Sequence, residues 1–464
     1  MVTAARTRKL DRLNWAGKAK APRRPGHSPL PRVADGLAVA AGLGFGACIA
    51  VSVSAETSGA LHAPGGLLLA AGRVFGFAGA YLLLCMLVLI ARVPWFERTV
   101  GQDRLVRWHR KLGPWPLVLI SLHVVLVTLG YAARVKVGPL HQFWSFVTTY
   151  PDMWMALVGF VALLAAGLTS AKIARNRVRY ETWWTVHVLT YLAMFFAFWH
   201  QIATGVMFIG HPLTKMVWTV AWIAVAALLL GSRVVAPLWH NYRHQLRVAA
   251  VQVEAPGVIS VTIEGRDLAR LAVSGGQFFQ WRFLSKGLWL HSHPFSLSAL
   301  PRPPYLRITV KAAGDHSREL AHLRPGTRVL VEGPYGAFTK HAASSDVVTL
   351  IGAGVGVTPL RALLEDLPRF AKVTVIVRAS SEEDLVHREE IIHLVEQRNG
   401  TLYEIVGPRH KVRFDARVLD EIAPDMPDGD VYICGPEGFT DSVVTSVERL
   451  GVLPEHIHHE AFAF

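Results

Sequence analysis

The chain has 464 residues, of which 52% are hydrophobic and only 18% charged, which excludes a disordered or wholly soluble protein. Three cysteines (Cys48, Cys85, Cys434) exclude a disulfide scaffold and any zinc or iron–sulfur site held by four cysteines of this chain. The formal net charge of +14 fits either a nucleic-acid binder or a membrane protein whose basic residues gather on one side.

The first 32 residues are basic and contain prolines, and they are expected to form a flexible tail. Six apolar stretches follow, at about 33–54, 66–91, 114–132, 153–171, 183–205 and 214–236. Each approaches the ~20 residues a helix needs to cross the hydrocarbon core. The stretch at 33–54 follows too long a basic region, and is itself too long, for a cleaved signal peptide, and reads as a signal anchor. Arginine and lysine crowd the tail and the second-to-third and fourth-to-fifth connections, while the opposite loops carry little beyond Arg134 and Lys136. The positive-inside rule then places both ends of the chain in the cytoplasm. It also accounts for the basic tail without nucleic acid as a partner.

Four histidines lie in the apolar half. His109 sits at the cytoplasmic entrance of the third stretch and His123 inside it, and His187 and His200 belong to the fifth. The separations of 14 and 13 residues correspond to roughly 21 and 20 Å along a helix. His109 therefore matches His187 in depth, and His123 matches His200. Two such pairs can supply the axial ligands of two stacked haems. A separation of 13 residues turns a helix by ~140° from its starting face, so the fifth helix needs a distortion or its haems different rotations. The alternative is that each histidine hydrogen-bonds a neighbouring helix.

After Pro237 the pattern changes. Alternation with a Pro-Gly turn near 256 predicts antiparallel strands. His293-Pro294-Phe295-Ser296-Leu297-Ser298 offers a donor, an aromatic ring and small hydroxyls in an extended segment, the groups a flavin site requires. Gly314-Asp315-His316-Ser317 can open a helix whose amides favour phosphate. From about 345 strands alternate with helical segments, predicting a parallel sheet. Within it Gly352, Gly354 and Gly356 follow an apolar strand, and Thr358 and Pro359 start a helix. The glycines let backbone amides approach a pyrophosphate. Arg378 falls where a cation favours a 2′-phosphate, although an exposed loop arginine reads the same. Cys434-Gly435-Pro436 ends another strand, where the thiol either faces a ligand or packs.

These motifs together resemble the NADPH oxidase and ferric reductase family. The paired histidines, HPFSLS, GDHS, EGPYG, IGAGVGVTP, CGPEG and the terminal Phe464 follow in the family's order from about residue 33 to the end. The second half is similar to ferredoxin–NADP reductases, with HPFS in place of their Arg-x-Tyr-Ser. The resemblance implies a six-span membrane helical bundle at 33–237 holding two b-type haems. It further implies an antiparallel FAD-binding β-barrel at 243–341 and an α/β NADPH-binding domain at 342–464. His293 to Ser298 and Gly314 to Ser317 would contact FAD, and Gly352 to Pro359 the NADPH pyrophosphate. Cys434 would lie near the nicotinamide, and Phe464 (or Phe462) would cover the flavin. Arg73 matches an arginine that oxidases of the family place beside the outer haem; the alternative is snorkelling to headgroups.

The implied activity passes electrons from cytoplasmic NADPH through FAD and both haems to an outer acceptor. O2 giving superoxide is the expected acceptor, with a ferric chelate, a quinone or a partner protein as the alternative. Val127 stands where animal oxidases carry a second histidine, which separates this chain from them. EF-hand loops and plant-type ferredoxin cysteines are absent from the sequence, so no obligate protein partner is expected. A channel or transporter with a nucleotide-sensing domain would share the same hydropathy pattern and contain no haem.

Overall fold

A computed structural model describes residues 6–9, 32–171, 177–178, 180–312, 314–408 and 414–462. The chain divides into two units. One comprises Pro31–Val93 and Asp103–Val234, and the other Met1–Leu30, Pro94–Gln102 and Val235–Phe464.

The first unit is helical. Its principal helices are α1 (Arg32–Ser54), α2 (Ser58–His62), α3 (Gly66–Leu89), α5 (Gln102–Leu112), α6 (Pro114–Val135), α7 (Pro139–Thr149), α8 (Met153–Ser170), α9 (Tyr180–Thr204) and α10 (Pro212–Leu230), with α4 (Pro94–Val100) belonging to the other unit. Among the described residues, six helical runs are long and apolar enough to cross a membrane. They are apolar on all faces, as helices surrounded by hydrocarbon must be. Proline occupies a first-turn position of α6, α7 and α10, where its missing N–H costs nothing. The helices α3 and α6 pack closely because glycines line the facing side of α3. A Cβ on Gly72 would approach Val127, one on Gly76 His123, and one on Gly79 Ile120.

In the second unit, helix α11 (Ala236–His244) precedes two three-stranded antiparallel sheets. One contains β2 (Arg247–Ala255), β3 (Val258–Glu264) and β6 (Tyr305–Lys311). The other contains β5 (His293–Ser296), β4 (Phe278–Phe283) and β7 (Val329–Tyr335). Alternating side chains from both sheets, among them Val261, Ile263, Phe279, Trp281 and Ile308, make one buried core. The expected closed barrel is not formed. Only single bridges, Arg247 with Arg328 and Leu297 with Ile308, link the sheets, and β2 is bulged twice. The four-residue β5 is too short to carry a ladder across the gap.

Asn241 fastens α11 to β7. Its Nδ2 donates to the Val331 carbonyl at 2.9 Å, and the Val331 N–H donates to its Oδ1 at 2.8 Å. The amide thus satisfies both backbone groups of Val331 as a neighbouring strand would. Asn241→Leu is expected to lower stability by about 2–4 kcal/mol, since each buried unpaired group costs about 1–3. Thermal unfolding of the detergent-solubilised chain measures this.

The rest of the second unit is a six-stranded parallel sheet in the order β1-β10-β9-β8-β11-β12. Its strands are β8 (Val347–Ala353), β9 (Lys372–Ala379), β10 (Thr401–Val406), β11 (Asp430–Pro436) and β12 (Ile457–Phe462). The edge strand β1 is Arg6–Lys9, so part of the expected flexible tail is a strand paired with β10. Helices α13 (Val357–Asp366) and α14 (Arg388–Glu396) follow β8 and β9, α15 (Ala416–Ile422) precedes β11 and α16 (Glu437–Arg449) follows it; the short α12 is Asp315–Glu319.

Candidate functional site

The parallel sheet dictates where a nucleotide can bind. From β8 the order runs to β9 and β10 on one side and to β11 and β12 on the other. The switch point is between β8 and β11, and it is at the carboxyl ends of strands at such a point that open α/β sheets bind ligands. Both glycine motifs end there, with Cys434 beside Gly352 in the register. The three glycines have different tasks. A Cβ on Gly356 would lie 2.3 Å from the Cys434 carbonyl, so Gly356 is the close contact between loop and strand. Gly354 has φ +56° and open space around its Cβ position, so its left-handed turn exposes backbone there. Gly352 packs against Val357 and Leu360. Thr358 is buried in the first turn of α13, and its hydroxyl has no hydrogen-bond partner among the described residues. Pro359 is buried beside it.

Cys434 is fully buried within the core cluster that includes Tyr432. Burial and the nearby Glu460 charge push its thiol well above the ordinary range. Gly435 and Pro436 lead into α16, and Pro436 pairs in register with Phe462. Phe464 is outside the described residues. Arg378 does not extend from a loop toward a phosphate. It is buried, and its guanidinium donates to the carbonyls of Ala379, Ile405 (3.1 Å) and Gly407 (2.6 Å).

Strand β12 is anchored at its other end by Asp430. That buried carboxylate accepts from the N–H groups of Ser344 (2.7 Å) and Ser345 (2.8 Å) and pairs with His458 (2.9 Å). Burial alone would raise Asp430, but the His458 contact and the two amides hold it below the usual carboxylate range. Its stabilisation is complete above the unfolded value of about 3.9 and lost as pH falls through the lower folded value. Asp430→Asn should therefore flatten the acid limb of a stability–pH curve below about pH 4, measured by thermal unfolding.

In the β unit, β4 and β5 pair so that Phe295 opposes Phe279 and His293 opposes Trp281. His293 and Phe295 stack with ring centres 6.0 Å apart. Pro294 is exposed, and Ser296 and Leu297 are buried, Leu297 in the core. Ser298 is buried and accepts from Arg307 Nε at 3.0 Å. Gly314 caps α12, with its N–H donating to Ser317 Oγ at 2.9 Å. The side chain of His316 is outside the description.

The helical unit brings the four histidines together in two pairs. The rings of His109 and His187 have centres 6.2 Å apart. His109 Nδ1 meets the Met86 carbonyl at 3.3 Å, and His187 Nδ1 is 3.4 Å from Ser170 Oγ. His123 and His200 line one apolar cavity, together with Val127, Phe143, Phe146 and Met194. His123 Nδ1 bonds to the Gly72 carbonyl at 2.8 Å. His200 Nδ1 is buried near the Ala197 carbonyl without an aligned hydrogen bond. Arg73 is paired through Nη1 with the Glu56 carboxylate at 2.7 and 3.0 Å. Sequence reasoning missed Gly76 and Glu56. The Gly-x3-Gly spacing of Gly72 and Gly76, a mark of close helix packing, was the available signal for the first; Glu56, in the connection after α1, had none, because its partner lies 17 residues away in α3.

The chain matches the ferric reductase like transmembrane component over residues 75–198, an FAD-binding domain over 243–339 and an oxidoreductase NAD-binding domain over 350–445. It is therefore an oxidoreductase and a multi-pass membrane protein. This succession is the architecture of NADPH oxidase and ferric reductase family proteins. Similar relatives include the flavohemoprotein of Chromobacterium violaceum, 30% identical over 260 residues, covering 48% of this chain and 61% of that one. The glycine betaine monooxygenase reductase subunit of Pseudomonas aeruginosa is 25% identical over 246 residues, covering 48% and 65%. Ferredoxin–NADP reductase B of Sorangium cellulosum is 27% identical, covering 47% and 97%. The chain thus spans under two thirds of the first two relatives' own length. Among solved structures, the FAD/NAD-binding domain of the Vibrio cholerae nitric oxide dioxygenase is similar, at 23% identity and a TM-score of 0.37, covering 47% of this chain and 99% of that one.

Proposed function

We propose that the chain carries electrons from cytoplasmic NADPH across the membrane to an acceptor on the outer face, O2 giving superoxide, with both chain ends in the cytoplasm. The observation that carries this is the pairing of four histidines on facing helices. His109 and His187 would hold one haem and His123 and His200 another, and haem bound there would supply one-electron carriers. The 6.2 Å between His109 and His187 suits one haem b. The cavity lined by His123 and His200 is walled by apolar side chains, and these two histidines would hold a second. A ligating histidine engages its other ring nitrogen with the protein, as the Nδ1 atoms of His109, His123 and His187 do.

FAD, when bound, turns a two-electron hydride into single electrons, and haem carries these one at a time. The HPFS strand, with its stacked His293 and Phe295, offers the flavin a wall, and the Gly354 turn with the Thr358 hydroxyl, unpartnered among the described residues, offers the dinucleotide a cradle. NADPH rather than NADH rests on the family resemblance, because Arg378 is committed to the backbone; reduction rates with both donors test it.

The alternative acceptor is a ferric chelate or a quinone. Arg73 favours it, since its charge is neutralised by Glu56 rather than free to hold oxygen or superoxide. The test is superoxide formed per NADPH consumed, in air, without added iron, by the protein loaded with FAD and haem. Each hydride supplies two electrons and each superoxide takes one, so a ratio near two is expected. A ratio near zero, with rapid NADPH oxidation on adding ferric chelate, overturns the oxidase assignment.

A further inference from the structure

Hydride transfer requires two rings to meet, yet the β lobe and the parallel-sheet lobe each offer a site for only one of them. Their relative placement must then be held within about 0.5 Å. The structure holds it through α13. The amino end of this helix begins at the Gly354–Gly356 turn, and its carboxyl half is gripped by the β lobe.

Glu365 accepts from the Leu300 N–H at 3.0 Å and from Arg302 at 2.8 Å. Asp366 accepts from the Gly275 N–H at 3.0 Å and from Lys340 at 2.8 Å. Gly275 is so close to α13 that a Cβ would lie 2.2 Å from the Ala362 carbonyl. Arg361, on the same helix, pairs with both Glu365 and Glu390. Glu390 in turn receives both terminal nitrogens of Arg307, each at 2.7 Å. Arg307 Nε donates to Ser298 Oγ at 3.0 Å, and Ser298 closes the HPFSLS segment. Beside this fork the buried His387 bonds Thr309 of β6 at 2.8 Å, and Thr309 bonds Ser260. A bidentate guanidinium–carboxylate pair fixes direction as well as distance, which a single charge contact does not.

We propose that Arg307 and Glu390 are positioning residues for hydride transfer, locking the segment that ends at Ser298 to the helix that begins at the dinucleotide turn. The proposal presupposes the FAD and NADPH sites proposed above. Neither residue touches the reacting atoms. The transfer they align moves one hydride, with both its electrons, from the reduced nicotinamide to the flavin. Burial alone would raise Glu390, but hydrogen bonds from Arg307 and His387 and the charges of Arg307 and Arg361 hold it well below the usual carboxylate range. The lock is therefore ionised throughout the neutral range.

The experiment compares the full-length wild type with Glu390→Gln and Arg307→Lys, both purified in detergent and loaded with FAD. Anaerobic stopped-flow mixing with NADPH reads the flavin reduction rate and the long-wavelength charge-transfer band of nicotinamide against flavin. Hydrogen exchange on the protein without NADPH reads the amides of Gly275 and Leu300. The expected result is a fall of about 10–100-fold in the reduction rate, the cost of roughly 1 Å of misplacement. The charge-transfer band should weaken and both amides should exchange faster, while FAD content and NADPH affinity hold. Arg307→Lys, which keeps the charge and loses the fork, should show the same pattern and serves if Glu390→Gln does not fold. Wild-type reduction rates and exchange in both variants overturn the proposal. So does loss of FAD, which would make the pair part of the flavin site. A wild type whose flavin NADPH does not reduce refutes the proposed donor instead.

Discussion

His123→Leu is expected to remove the electron exit while leaving the entrance intact. NADPH should reduce the flavin at the wild-type rate, external reduction should fall more than ~100-fold, and the Soret absorbance should lose the contribution of one haem. The magnitude follows from the ligand's support. Losing only the hydrogen bond behind a metal-bound histidine costs about 10–100-fold in affinity or activity, and losing the ligand costs more. His123 has such support, because its Nδ1 bond to the Gly72 carbonyl turns the opposite ring edge toward a cavity walled by apolar side chains. Wild-type external reduction with a full haem complement would remove His123 from the path, and a detergent extract of the wild type with no Soret band would favour a channel or transporter.

Gly76→Val should have nearly the same effect without touching a ligand. A Cβ at this position would lie 2.5 Å from His123 Nδ1 and 2.8 Å from its Cγ. The ring cannot yield, because the Gly72 bond pins it from the same helix. Haem content should fall about 10–100-fold in affinity terms, as when a supporting contact is lost. Gly79→Val is the matched control, since its Cβ would meet the Ile120 side chain at 2.8 Å, and an aliphatic chain can change rotamer. Haem titration of both variants decides the matter. Equal haem affinity in the two would show that the glycine seat does not orient His123.

The residues open to sequence reasoning were those whose signal is local. A membrane helix announces itself by twenty apolar neighbours, so the six expected stretches fall on six helical runs, although the third run begins at Arg104 rather than about 114 and the sixth ends at His244 rather than about 236. The strand–turn–helix around Gly354 is legible for the same reason, as glycine spacing and a first-turn proline act within one loop. Depth matching of the histidines also followed from chain geometry alone. Across the ~140° offset of the fifth helix, His187 meets the His109 ring while His200 lines one cavity with His123.

What stayed hidden depends on partners far apart in the chain. Arg378 was read from its place after a strand, but two of its carbonyl partners, Ile405 and Gly407, come from the next strand and loop, up to 29 residues on. The opening between the β sheets reflects bulges and a four-residue strand, which alternation does not report. The fork of Arg307 and Glu390 spans 83 residues, and the Asn241 clamp on Val331 spans 90. Composition and periodicity select which elements form and which face of each is apolar, because those are sums over neighbouring residues. Which polar atoms satisfy one another is settled only when the packed chain removes water from them and an unpaired donor or acceptor becomes costly.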